Sequence, residues 1–153
     1  MAAPAISKQK FYMSLAETAA NQSKDPHTKV GACVVKDGRV LSLGWNGAPR
    51  DFPDTLVPWE RDTDLPLIKQ KFPYIVHAEM NAVLNYGGAV SDFAGSSIYV
   101  TVSPCYDCAK MLAQLRIKEV IYKEEYHRTD MWEISKYIFD TCGIKYRKYE
   151  ETL

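Results

Sequence analysis

No stretch of this 153-residue chain is apolar for long enough to reach across a bilayer as a helix, which excludes roles built on a membrane-spanning helix. The first residues lack the apolar 7–15-residue core of a secretory signal, so a cytoplasmic location is expected, the host cytosol if the source is viral. An excess of either charge is also missing, with Lys+Arg and Asp+Glu equal at 19 each. Long polyanions are normally held by a broad positive field, so no long nucleic acid is expected as a partner. A small phosphorylated substrate needs only a local cluster of donors and is not excluded. Histidine and cysteine are scarce, at three and four residues, so a metal site has few ways to be assembled. The four cysteines would suffice for two disulfides, but Cys105 and Cys108 are more useful as thiolates, and a reducing compartment fits all four unpaired. Internal repeats and low-complexity tracts are absent.

What is present reads as one soluble domain over residues 1–153, with 46% apolar and 25% charged residues. Residues 1–7 form a loose tail. From Lys8 to about Asn21, Phe11, Met13, Leu15, Ala16, Ala19 and Ala20 recur at helical spacing, and Pro26 closes the segment that follows. Val30–Val35 and Arg39–Leu43 flank Asp37-Gly38, a strong hairpin signal, with Cys33 as a packed thiol in mid-strand. Residues 47–73 make a long connection rich in proline and charge, expected to serve as a flap over a site or as an oligomer contact. A short helix within Asp62–Lys71 would bury Leu65, Leu67, Ile68 and Phe72. Downstream come a helix from Val76 to about Tyr86, a strand Ser97–Val102, a helix from Cys105 to about Leu115 and a strand Glu119–Tyr122. A helix Met131–Thr141 with Ile134, Ile138 and Phe139 on one face, and a strand Ile144–Tyr149, complete the order. The fold class expected is a three-layer α/β/α sandwich on a five-stranded mixed sheet. Tyr122, Tyr137, Tyr146 and Tyr149 are read as packing residues, and Lys145-Arg147-Lys148 as a solvated strand end.

Two short stretches carry chemistry: His77-Ala78-Glu79 and Pro104-Cys105-Tyr106-Asp107-Cys108. A lone C-x-x-C can be a redox pair, half of a structural zinc site or chance, and a lone His-x-Glu means little. Together they offer one imidazole and two thiolates, a donor set suited to tetrahedral Zn2+. If both stretches open helices, the ligands converge where two positive dipole ends meet, which stabilises thiolates. Three protein ligands leave a fourth position open, as catalytic sites do. A purely structural site would need one more ligand, and His27 and His127 lack the spacing to supply it.

The paired motifs match the H-x-E…P-C-x-x-C signature of zinc nucleobase deaminases. With Ser23-Lys24-Asp25-Pro26, Val30-Gly31-Ala32-Cys33, Gly44-Trp45-Asn46-Gly47 and Tyr126-His127, the chain resembles the deoxycytidylate (dCMP) deaminase family of the cytidine deaminase-like superfamily, over residues 8 to 149 or so. The resemblance implies hydrolytic conversion of dCMP to dUMP with loss of ammonia. It assigns His77, Cys105 and Cys108 to one catalytic Zn2+, whose acidified water supplies the hydroxide that attacks C4. Glu79 then carries protons to ring N3 and to the departing amine. It further implies that the Ala78 N–H holds the pyrimidine O2, that the Ser103 carbonyl receives the exocyclic amine and that Asn46 binds a sugar hydroxyl. Ser23, Lys24 and Tyr126 become phosphate donors, with Arg50, His127 and Arg128 in reserve. The family assembles as closed homo-oligomers, often hexamers. One departure stands out. Regulated relatives carry a Gly-Cys-Ser-Asp-like run where this chain reads Arg50-Asp51-Phe52-Pro53-Asp54, so the cysteine of a second, structural zinc is missing. Control by dCTP and dTTP, with the Mg2+ that accompanies a regulatory nucleotide, is put in question by that change. Competing readings are a deaminase of nucleosides, dCTP or polynucleotides, and a non-catalytic zinc-stabilised binding protein, against which Glu79 argues because a structural site has no use for it.

Overall fold

A computed structural model describes residues 2–151; Met1, Thr152 and Leu153, the outermost residues of the expected 1–153 domain, lie outside the described residues. The first helix, α1 (Lys8–Ala20), starts where Ser7 accepts a hydrogen bond from the Lys10 N–H at 3.1 Å, so the last residue of the expected tail is a helix cap. Strands β1 (Gly31–Lys36) and β2 (Arg39–Trp45) form the hairpin, with Asp37 and Gly38 at φ of 51° and 75°. Two successive left-handed residues give the turn whose twist matches the flanking strands. Helix α2 (Ala78–Leu84) follows the long connection, and β3 (Ser97–Val102), α3 (Tyr106–Gln114), β4 (Glu119–Glu124), α4 (Thr129–Cys142) and β5 (Lys145–Lys148) follow in turn.

The five strands form one mixed sheet in the order β2-β1-β3-β4-β5, with β2, β1 and β3 antiparallel and β3, β4 and β5 parallel. Strand alternation sorts the core onto two faces. Cys33, Val35, Tyr99 and Ile121 pack against Tyr12, Met13 and Ala16 of α1. Ala32, Val34, Ile98, Val100, Val120 and Tyr122 turn the other way, onto Ala78, Ala82, Ala109, Leu112, Trp132 and Phe139 of α2, α3 and α4. This is the expected three-layer sandwich. Glycines set how closely the layers approach. A Cβ on Gly31 would fall 1.8 Å from the Ala16 carbonyl oxygen, and one on Gly44 would fall 2.3 Å from both Ala78 O and Ala82 N. Among the described residues no helix is long and apolar enough to cross a membrane.

Several sequence expectations need correction. The only helix within Asp62–Lys71 among the described residues is a single 3-10 turn at Leu67–Lys69, flanked by others at Asp54–Leu56 and Phe72–Tyr74. Pro66 and Pro73 interrupt the segment, and a three-residue turn has no face on which to gather apolar side chains. Leu67, Ile68 and Phe72 consequently stay exposed, and Leu65 is only half-buried. Phe11 lies on the outer side of α1, where Tyr12 takes the core position. On α4 the buried stripe is Trp132, Ser135 and Phe139; Ile134 points outward and Tyr137 is 74% exposed, so it is not the packing residue expected. Tyr122 and Tyr149 are buried as expected.

Candidate active site

Parallel strands β3 and β4 end side by side, and the loops leaving their carboxyl ends open the crevice where ligands of such sheets bind. From β3 the chain runs through Ser103 and Pro104 to Cys105, which caps α3; from β4 it runs to Tyr126. His77 caps α2 opposite them. Both cap residues have extended backbone, with φ/ψ of −72°/156° for His77 and −70°/170° for Cys105, so their side chains fold back toward the helix N-termini. Cys108 sits in the first turn of α3. His77 Nδ1 lies 3.3 Å from Cys105 Sγ and 3.4 Å from Cys108 Sγ. The three candidate ligand atoms are all within 4.8 Å of one another. A tetrahedral ion with bonds of about 2.0–2.3 Å bridges such separations, and two thiols and an imidazole are the soft and borderline donors zinc takes.

Electrostatics within the cluster are tightly linked. The Cys108 thiol donates to Cys105 Sγ, and with His77 it pulls the Cys105 thiol down to about 4. The same Cys105 sulfur draws the His77 imidazole up to about 8. Cys108, whose proton is held by its neighbour and by burial, is pushed well above the ordinary thiol range. Thiolate character thus gathers on Cys105, at the N-terminus of α3, a surrounding that favours a bound cation. Glu79, one residue into α2, is buried beside it at 3% exposure without belonging to the ligand cluster, and burial pushes its carboxyl above the ordinary range.

A cavity of about 350 Å³ opens over this cluster, and His77, Ala78, Glu79, Ser103 and Cys105 line its inner end. Asn46 and Tyr126 line it as well. Asn46 Oδ1 accepts the Val30 N–H at 2.8 Å, and its Nδ2 donates to the Thr28 carbonyl at 2.9 Å and to Asp25 Oδ2 at 3.4 Å. The Ser103 hydroxyl accepts the Tyr126 N–H at 2.7 Å, which ties the two strand-end loops together.

Two expected phosphate donors are not brought to the cavity. Ser23 is buried and its hydroxyl donates to the Asn46 carbonyl at 2.8 Å, so it is part of the scaffold. The Lys24 side chain is 74% exposed and paired with Asp54 at 2.9 Å, outside the cavity lining. Asp25 of the same motif is buried as well. Its Oδ1 accepts the His27 and Thr28 N–H groups at 2.8 and 3.1 Å, and its Oδ2 pairs with Lys71. Arg50 is also absent from the lining, whereas His127 and Arg128 are present, the latter bonded to Asp130. Sequence reasoning overlooked Thr28, Arg61, Lys71 and Phe72, all of which line the cavity. Phe72 packs edge-on against the His77 ring at 6.1 Å. The signal for them was the length and charge of the 47–73 connection, but no local pattern says which of its residues turn inward.

A histidine–dicysteine cluster with a buried carboxylate beside it, at the carboxyl edge of a five-stranded mixed sheet, defines the class of metal-dependent hydrolytic deaminases of the cytidine deaminase type. Comparison with known proteins narrows this. The model of the cytidine and deoxycytidylate deaminase zinc-binding region matches residues 6–124. Human deoxycytidylate deaminase is 38% identical over 141 residues, covering 91% of this chain and 78% of the human protein. The deoxycytidylate deaminase of Mycobacterium phage D29 is 35% identical over 121 residues, covering 75% of this chain and 93% of the phage protein. Among solved structures, the dCMP deaminase of cyanophage S-TIM5 in complex with dCMP and dUMP superimposes with a TM-score of 0.71 at 33% identity, over 92% of this chain and 96% of that one. The chain belongs to the cytidine and deoxycytidylate deaminase family.

Proposed function

We propose that the protein hydrolyses dCMP to dUMP and ammonia. The observation that carries this is Glu79, a buried carboxylate kept out of the ligand cluster formed by His77, Cys105 and Cys108. The names of the human and phage relatives, and the dCMP and dUMP of the cyanophage complex, support the choice of substrate. His77, Cys105 and Cys108 would hold one Zn2+, which acidifies water so that a nucleophile is available at neutral pH. Glu79 takes a proton from the attacking water and delivers it to ring N3 as the water oxygen bonds to C4. It then moves the remaining hydroxyl proton to the amino group, so that the C4–N bond breaks and ammonia leaves.

The remaining contacts follow from what each group has left to offer. Ala78 is the first residue of α2, where a backbone N–H has no intrahelical acceptor, and it meets the pyrimidine O2. The Ser103 carbonyl takes the exocyclic amine, since its N–H donates to Glu124 O at 2.8 Å and its hydroxyl holds Tyr126. Both amide ends of Asn46 are engaged, but Oδ1 keeps a second lone pair for a sugar hydroxyl. Tyr126 contributes a hydroxyl at the cavity wall. The assembly is a closed homo-oligomer, a hexamer, working in the cytoplasm, and the exposed Leu67, Ile68 and Phe72 of the long connection supply apolar contact surface. No regulatory nucleotide with Mg2+ is included in this reading.

The test is a deamination panel on zinc-loaded protein with dCMP, CMP, deoxycytidine, dCTP and a cytosine-containing single strand at equal concentration. Marked preference for dCMP is the expected result. Turnover of the strand or the nucleoside without dCMP would replace the substrate while leaving the metal ligands and Glu79 in their roles.

A further inference from the structure

Three Lys or Arg side chains line the cavity: Arg61, Lys71 and Arg128. Two are already neutralised. Lys71 is paired with the fully buried carboxylate of Asp25, and Arg128 bonds Asp130 through Nε at 3.2 Å and Nη2 at 2.9 Å. Among the described residues Arg61 has no carboxylate within ion-pair distance, although Glu60 beside it also lines the cavity. Among the described residues its guanidinium makes one hydrogen bond, from Nη2 to the Thr28 hydroxyl. One donor of five is thus engaged, and the planar fork that matches a phosphate bidentately remains available.

The anchor of Arg61 matters as much as its charge. Thr28 is itself held at both backbone ends, its N–H by Asp25 Oδ1 at 3.1 Å and its carbonyl by Asn46 Nδ2 at 2.9 Å. Arg61 is therefore tied to the same turn as Asn46, the residue assigned above to the sugar. A nucleotide with its base at Glu79 and its sugar at Asn46 must set its 5′-phosphate against the lining of the same cavity, which includes Thr28 and Arg61. We infer that Arg61, carried on the long connection and steered by Thr28, is the residue that distinguishes a nucleotide from a nucleoside by binding the phosphate dianion. The inference rests on the nucleotide reading proposed above. It assigns to an unpaired cavity cation the role that the S-K-D-P motif does not fill, because Ser23 and Lys24 are committed elsewhere.

The experiment compares kcat/KM for dCMP and for deoxycytidine in the wild type, Arg61→Ala and Arg61→Lys. A charge-assisted hydrogen bond to phosphate is worth about a ten- to hundredfold in binding. The dCMP-to-deoxycytidine ratio is expected to fall by about that factor in Arg61→Ala, through KM and not kcat, with partial recovery in Arg61→Lys. Parallel losses on both substrates would mean that Arg61 merely pins the loop, and would overturn the inference. So would a wild-type ratio retained in Arg61→Ala. A wild-type enzyme with no preference for dCMP would instead sink the nucleotide reading itself, and the inference with it.

Discussion

Glu79 and Cys33 illustrate how burial gives one residue a task and leaves another inert. Both are nearly inaccessible, but Glu79 faces the cavity next to three candidate ligands, while Cys33 is enclosed in apolar side chains that push its thiol up to about 12. Glu79→Gln keeps the shape and removes the proton traffic. It is expected to lower kcat by about 10²–10⁴-fold, with zinc content by atomic emission unchanged. Loss of zinc along with activity would show the carboxylate to be holding metal. Cys105→Ala, in contrast, is expected to lose both together, since two ligands leave the site open on two sides.

At the scale of elements, the loop after α1 is a hub, and Asp25 is its centre. Burial alone would raise the Asp25 carboxyl, but Lys71 and the His27 and Thr28 N–H groups more than offset it and hold the group below the ordinary carboxylate range. A carboxyl with a lowered folded pKa contributes stability that is present above its unfolded value, about 3.9, and is lost as pH falls through the folded value. Asp25→Asn is therefore expected to cost about 3 kcal/mol at neutral pH, the gap to wild type closing in urea melts taken below about pH 4. A gap independent of pH would mean that shape rather than charge is at work. Helix α2 is tested through its backing strand. Gly44→Ala places a methyl group 2.3 Å from Ala78 O and Ala82 N, so α2 must shift, and His77 and Glu79 move with it. Activity is expected to fall along with stability, whereas Gly143→Ala, which strains only the left-handed C-cap of α4 at φ 73°, is expected to cost about 1 kcal/mol with kcat intact.

For the whole molecule, a ligand that binds only the folded chain raises its stability by mass action. Removal of metal with a chelator is expected to abolish turnover and lower Tm by about 10 °C, from roughly 4 kcal/mol of linkage at a thousandfold excess over Kd. Readdition of Zn2+ should restore both. The exposed apolar residues of the long connection have a consequence at this scale too. Light scattering is expected to give a multiple of the chain mass, and Ile68→Asp, at a side chain 73% exposed here, to shift it downward.

The strands, the helices and the members of the His77–Cys105–Cys108 cluster were legible in the sequence because each is written in local terms. Ala32 and Val34, Ile98 and Val100, and Val120 and Tyr122 are pairs two positions apart on their strands, Asp37-Gly38 permits the two left-handed residues of a hairpin, and Cys105 and Cys108 are one helical turn apart. The partners of the expected phosphate donors were not legible, and only the tertiary structure shows them. Ser23 and Lys24 look like free donors in the sequence, yet folding gives Ser23 the Asn46 carbonyl and Lys24 the Asp54 carboxylate. Asp25 looks like a loop residue, but becomes a buried acceptor shared by Lys71, Asn46 and two backbone N–H groups. Arg61 lies in a stretch with no periodicity, and only the packing of that stretch over the cavity leaves it, among the described residues, the one cavity-lining Lys or Arg without a carboxylate partner. Local spacing determines which residues share a face or a helix turn. Which polar group is left without a partner depends on contacts between residues dozens of positions apart, and those exist only once the chain has folded.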